Sequence, residues 1–156
     1  MYAYQMGDVI TILCCFYILI KDNTNNHTER MIMLSGKGLI VDDDSDILRM
    51  LTRLCKKLGV HVITAQNGVD AVDILLSTKI NFILTDFHMP GMDGGEIVNF
   101  VEQNFPEIPV FVMTSDLDGL SERIKKMVFV RRVFKKPFPI SAIARSLIVF
   151  SPELIH

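Results

Sequence analysis

The chain has 156 residues and a mass of 17.7 kDa, the size of one domain with an appended tail and too little for two. Hydrophobic residues make up 49% and charged residues 22%, with a mean hydropathy of +0.33, which excludes a disordered chain. A net charge of −2 gives no global reason to expect direct binding of nucleic acid. The three cysteines, Cys14, Cys15 and Cys55, lack CxxC spacing and make neither a disulfide framework nor a zinc site, which points to a reducing, cytoplasmic setting.

The high hydropathy begins at the front. Residues 9–20 (VITILCCFYILI) are an apolar run interrupted only by Thr11. A membrane-spanning helix needs roughly 20 such residues, so this one is too short. No Lys or Arg precedes it, which argues against a secretory signal. A polar linker follows, KDNTNNHTER, with a glycosylation sequon at Asn26 that matters only in an exported chain. Residues 1–36 are expected to form an extension without chemistry, with Met31 or Met33 as the more natural start. Residues 37–150 are expected to form the domain, and 151–156 a short C-terminal tail.

From Lys37 the pattern becomes regular. GLIV (38–41) reads as a buried strand followed by Asp42, Asp43 and Asp44. Ser45 can cap a helix whose apolar positions Ile47, Leu48, Leu51, Leu54, Cys55 and Leu58 recur at helical spacing, with Gly59 ending it. Asp44 is also placed at that helix start, where the dipole favours an acid. VHVITA (60–65) reads as a strand and Asn67-Gly68 as a turn. Val69 to Ser77 reads as a helix with Val72, Leu75 and Leu76 inward. FILT (82–85) ends in Asp86, and MPGMDGG leads into a helix carrying Ile97, Val98 and Val101 that closes near Pro106. PVFVMT (109–114) is the next strand, then a charged helix around Leu120 to Met127 and a short strand RRVF (131–134). Pro139 opens a final helix from Ile140 to Phe150.

Five strands alternating with five helices define an α/β, doubly wound parallel sheet with right-handed crossovers and helices on both faces. Ligands in such sheets bind outside the carboxyl ends of the strands. The polar residues there are Asp42 and Asp43, Asp86, Thr114 and Lys136. Two like charges at ~4 Å repel by about 4 kcal/mol at an effective dielectric near 20, so three converging carboxylates call for a cation. Oxygen-only ligands suit Mg²⁺. Lys136 adds a second positive charge and Thr114 a hydroxyl donor, a set suited to a phosphoryl group held on a carboxylate.

VDDDSD (41–46), TDFHMPGMDG (85–94), VMTS (112–115) and KKPF (135–138) resemble the receiver domain of bacterial two-component response regulators. The resemblance covers about three-quarters of the chain and implies a flavodoxin-like five-stranded sheet of order 2-1-3-4-5. It implies Asp86 as phosphoacceptor from a sensor histidine kinase or phosphotransfer protein, with Thr114 and Lys136 contacting phosphoryl oxygens. Mg²⁺ would be bound by Asp43, Asp86 and the backbone carbonyl of His88, with Asp42 acting mainly through water. It also implies a cis Lys136–Pro137 bond. A homodimer through the fourth helix, fifth strand and fifth helix, and a downstream protein of unknown identity, complete the expected partners.

One departure stands out. Receivers generally carry Tyr or Phe three residues before the motif lysine; here that position is Val133 and the aromatic is Phe134. Strand side chains alternate, so the one-residue offset points Phe134 to the other face. Lys135 is expected in solvent and the His88 side chain at the mouth of the site, where it affects hydrolysis of an acyl phosphate. The leading expectation is a stand-alone receiver, not an enzyme beyond its own phosphorylation and dephosphorylation, that signals by changed partner binding. The alternative is a non-phosphorylated pseudo-receiver used for interaction or dimerisation. An Asp-nucleophile phosphatase fits less well, since the second acid it needs two residues on is replaced by His88.

Overall fold

The computed structural model describes residues 36–117, 127 and 129–150. Its strands are β1 (Lys37–Val41), β2 (His61–Ala65), β3 (Phe82–Asp86), β4 (Val110–Thr114) and β5 (Val130–Lys135). Its helices are α1 (Ser45–Lys57), α2 (Gly68–Ser77), α3 (Gly94–Asn104) and α4 (Ile140–Phe150). The charged helix expected around Leu120 to Met127 falls largely outside the described residues, as do the N-terminal apolar run and the C-terminal tail. All strand pairs are parallel, in the order β2-β1-β3-β4-β5. Among the described residues, no helix is long and apolar enough to cross a membrane.

Both sheet faces are covered, which explains the continuous apolar strands. On one face Ile40, Phe82, Leu84, Phe111, Met113 and Phe134 pack under Leu48, Leu51, Leu54 and Cys55 of α1 and Ile143, Ala144 and Leu147 of α4. On the other, Leu39, Val41, Ile83, Val110 and Val112 meet Ala71 and Leu75 of α2 and Ile97, Val98 and Val101 of α3. Burial pushes the Cys55 thiol up to about 12, so it serves as core and not as a nucleophile.

The helix starts anchor the loops that leave the strands. Asp44, not Ser45, caps α1: its carboxylate accepts from the Asp46 backbone N–H at 2.8 Å, and Ser45 is the first helical residue. An ionised acceptor at the positive end of the dipole is the stronger of two adjacent candidates. Asn67 caps α2 by accepting from Asp70 N at 2.8 Å, so the expected Asn-Gly turn is a helix start. Asp93 and Glu96 form a reciprocal capping box on α3, with contacts of 2.9 and 2.8 Å.

One expectation for the core needs correction. Leu76, expected inward, is 65% exposed, and Val72 is only half-buried; Ala71 and Leu75 form the inner face of α2 instead. In a helix starting at Gly68, residues 68, 71 and 75 share a side, and Leu76 is turned about 100° from Leu75. In β5, a feature that the sequence did not announce, the register slips between Val110 and Phe111: Val110 pairs with Val130 but Phe111 with Arg132. Arg131 is the extra, exposed residue of a bulge. The bulge resets the alternation, seating Val133 on the α2–α3 face and Phe134 on the α1–α4 face. Phe134 thus lies opposite Val133, as the offset implied, between Phe111 (6.5 Å between ring centroids) and Phe138 (6.0 Å).

Gly38 makes the sheet's tightest approach, because a Cβ there would lie 2.2 Å from Cζ of the fully buried Phe82 ring. Gly38→Ala is expected to destabilise the domain by about 1–3 kcal/mol through overpacking. Adding Phe82→Leu should recover part of that loss. Urea midpoints at unchanged slope, taken through the double-mutant cycle, check both statements.

Candidate functional site

The carboxyl ends of β1, β3, β4 and β5 meet at one rim. Because β1 lies beside β3, Asp42 and Asp86 leave neighbouring strands side by side. Oxygens of Asp42, Asp43 and Asp86 all lie within 4.8 Å of one another. Asp42 is fully buried, Asp86 nearly so, and Asp43 is exposed. Lys136 reaches in from the end of β5. Its Nζ donates to Asp42 Oδ2 at 2.8 Å and to Asp86 Oδ2 at 2.9 Å, with its own side chain 22% exposed.

The remaining lone pairs are partly held by backbone. Asp42 Oδ1 accepts from Asp44 N at 2.9 Å, and Asp86 Oδ1 accepts a long 3.4 Å contact from His88 N. Asp86 itself is gripped from behind. Thr85 Oγ1 donates to the Asp86 carbonyl at 3.0 Å, and a Cβ on Gly94 would lie only 2.2 Å from that same oxygen. Glycine at 94 is therefore what lets α3 start directly beside the Asp86 backbone.

Charge at the rim is unbalanced. Among the described residues, three carboxylates face one ammonium, a formal excess of two negative charges. Burial raises the Asp42 carboxyl above its ordinary 3.8 and outweighs the lowering by the hydrogen bonds from Lys136 and Asp44. For Lys136 burial acts downward, but the hydrogen bonds and charges of Asp42 and Asp86 prevail and hold it above 10.5. It therefore stays protonated at neutral pH. Two spare negative charges on oxygen donors, one of them exposed to solvent at Asp43, fit a hard divalent cation such as Mg²⁺.

The other expected residues are also located. Thr114 is buried at the end of β4, and its hydroxyl closes a small turn, donating to the Asp116 carbonyl at 2.9 Å and accepting from Asp116 N at 3.1 Å. Asp116 was not anticipated from sequence; a polar residue two positions after a strand-end Thr is the available signal for such a turn. The Thr114 carbonyl accepts from Lys136 N at 2.6 Å, tying the lysine's backbone to β4. The Lys136–Pro137 bond is cis. Lys135 and the side chain of His88 are exposed, and the His88 ring stacks edge-on against Phe87 at 5.2 Å.

Fold and site together define a doubly wound α/β domain with an acidic rim bridged by one lysine. A profile of the response regulator receiver domain matches residues 39–147. The chain belongs to that family, the receivers of two-component signalling. It is 34% identical over 122 residues to Sporulation initiation phosphotransferase F of Bacillus subtilis, covering 77% of this chain and 97% of that protein. It is 36% identical over 110 residues to DNA-binding transcriptional regulator NtrC of Escherichia coli, covering 69% of this chain and 23% of NtrC. The chain thus spans about a quarter of that relative's length. Among solved structures, the signal receiver domain of an HD domain-containing protein from Pseudomonas fluorescens superposes with a TM-score of 0.70. That match has 23% identity and covers 76% of this chain and 94% of that one, a likeness of fold.

The raised Asp42 carboxyl sets a pH dependence. The folded state keeps the Asp42 proton to higher pH than the unfolded chain, so stability falls as pH rises from 3.8 through the folded value. Asp42→Asn should therefore raise Tm at pH 7, by on the order of 2–5 °C, and change it little at pH 3. Thermal melts at the two pH values check the sign.

Proposed function

We propose that Asp86 is the phosphoacceptor and that the domain acts as a phosphorylation-dependent switch. The observation that carries this reading is the Lys136 ammonium, which bridges Asp86 and Asp42 and so sets a cation beside both, while of the two only Asp86 keeps any exposed carboxylate surface for a phosphoryl donor. In the proposed step an Asp86 oxygen attacks the phosphorus of a phosphohistidine on a sensor kinase or phosphotransfer protein. The P–N bond breaks as the aspartyl O–P bond forms, and the imidazole leaves with the electron pair.

This chain's residues position and neutralise. Lys136, held by Asp42, is placed to follow an Asp86 oxygen into the product and to pair with a phosphoryl oxygen. Thr114 lies at the end of the neighbouring strand β4, and its hydroxyl can exchange the Asp116 carbonyl for a phosphoryl acceptor. Asp43 and Asp86, with the His88 carbonyl, would hold Mg²⁺, and Asp42 would act mainly through water. When bound, the ion supplies the charge neutralisation that incoming phosphoryl oxygens need. Chemistry is confined to the domain's own phosphorylation and dephosphorylation, and the output is altered affinity for a protein partner. The Bacillus subtilis phosphotransferase, 97% of whose length is matched, supports a stand-alone receiver working in a relay. The acidic, disulfide-free site suits the cytoplasm. A homodimer through the segment around Leu120 to Met127, expected from sequence as the fourth helix, with β5 and α4 belongs to this reading.

Acetyl phosphate with Mg²⁺ is expected to give a phosphate-dependent gel shift in the wild type and none in Asp86→Asn. An unshifted wild type would instead favour a pseudo-receiver used only for interaction. Lys136→Ala is expected to accept phosphate more weakly and to lose most of the change in partner binding. Mg²⁺ at about 100 times its Kd should stabilise the wild type by about 2.7 kcal/mol. Asp43→Asn should abolish most of that gain, as read from urea midpoints.

A further inference from the structure

Three large apolar side chains are exposed among the described residues: Val69, Leu76 and Leu117. Two of them share one strip of α2. Val69 is 62% exposed and Leu76 65%, and the half-buried Val72 lies between them at helical spacing. None of the three packs into either core cluster. A strip of this kind, running along a ten-residue helix of about 15 Å, has more contact surface than a lone exposed side chain.

The fold also delivers a matching segment to the foot of that strip. Lys37, the first residue of β1, is bound to Asn81 twice: Lys37 N donates to Asn81 Oδ1 at 2.8 Å, and Asn81 N donates to the Lys37 carbonyl at 2.8 Å. Asn81 follows α2 by four residues and Leu76 by five. The chain that precedes Lys37 therefore joins the domain beside the carboxyl end of α2. Residues 21–36 are polar apart from Met31 to Leu34, and beyond them lie residues 9–20, VITILCCFYILI, too short to span a bilayer. Even fully extended, the sixteen residues 21–36 span at most about 53–58 Å, and the strip along a 15 Å helix lies well within that reach. Tethering at this range gives an effective concentration on the order of millimolar, so weak apolar contacts suffice.

We propose that the apolar segment 9–20 docks on the Val69–Val72–Leu76 strip of α2 and forms an intramolecular cover for it. The inference is independent of the phosphoacceptor reading, since it uses no residue of the acidic rim. It explains together why an otherwise polar helix face carries Val69 and Leu76 and why the chain carries an apolar run of sub-membrane length.

The segment brings its own probes, Cys14 and Cys15, while buried Cys55 reports whether the domain stays folded. In the full chain, site-resolved alkylation by iodoacetamide should modify Cys14 and Cys15 at least 10-fold more slowly than in Val69→Asp/Leu76→Asp, with Cys55 protected in both. Under mild oxidation, Leu76→Cys should form a disulfide with Cys14 or Cys15 within one chain. Arg53→Cys, on α1 across the sheet, should not. Equal alkylation rates in the two proteins would overturn the proposal. So would disulfides formed only between chains, which would assign the strip to a second copy, or protection that appears only with phosphatidylcholine vesicles.

Discussion

The contact between the Lys136 ammonium and the carboxylates of Asp42 and Asp86 is the interaction on which the rest of the structure depends. Two buried or nearly buried carboxylates side by side would repel strongly in a low-dielectric rim without a counter-charge between them. The counter-charge comes from the far end of the sequence, 94 residues after Asp42 and 50 after Asp86, so the site exists only when the whole sheet has assembled. The pairing is also incomplete by design of the residues present. Burial leaves Asp42 raised above its ordinary value despite Lys136, and one ammonium against three carboxylates leaves room for a divalent cation.

Holding such a rim demands rigid loops, and the helix caps supply them. Asp44 closes α1 immediately after the acidic pair, and its N–H in turn binds Asp42, so one residue serves the helix and the site. On the other side Asp93 and Glu96 lock the start of α3, and Gly94 lets that start press against the Asp86 carbonyl. Gly68 likewise accommodates Met92 from the loop after Asp86, since a Cβ there would lie 2.6 Å from the Met92 side chain. The polar chemistry is thus fixed by backbone geometry at a few small residues, while the apolar strands fix only where the loops begin.

Much of this was legible in the chain. Continuous apolar runs ending in Asp, Asp, Thr and Lys define the strands and the rim, because a parallel sheet buried on both faces leaves polar residues only at its ends. What escaped the sequence depends on phase and on partners in space. Leu76 reads as core beside Val72 and Leu75, but the helix carries two apolar stripes, and the sheet takes the one through Gly68, Ala71 and Leu75 while Val69 and Leu76 stay outside. Two adjacent acceptors, Asp44 and Ser45, cannot be ranked by spacing alone. The Thr114–Asp116 turn depends on the local path of one loop, and the bulge at Arg131 on pairing with β4.

That bulge has the largest consequence for how the domain can respond. Without it, strict alternation from Val130 would place Arg132 against the α2–α3 core and Val133 against the α1–α4 core. With Arg131 extruded, both arginines are exposed, Arg132 lies 5.7 Å over the Phe134 ring, and Phe134 joins Phe111 and Phe138 in a closed aromatic cluster. The position three residues before Lys136 is then a branched aliphatic side chain packed on the opposite core, with no ring to swing toward Thr114. Phe134 cannot substitute for it, because moving its ring would empty part of the α1–α4 core at a cost of about 3–5 kcal/mol. The domain therefore keeps the acidic rim and its lysine intact while its fifth strand is built as core on one side and as a cationic edge on the other.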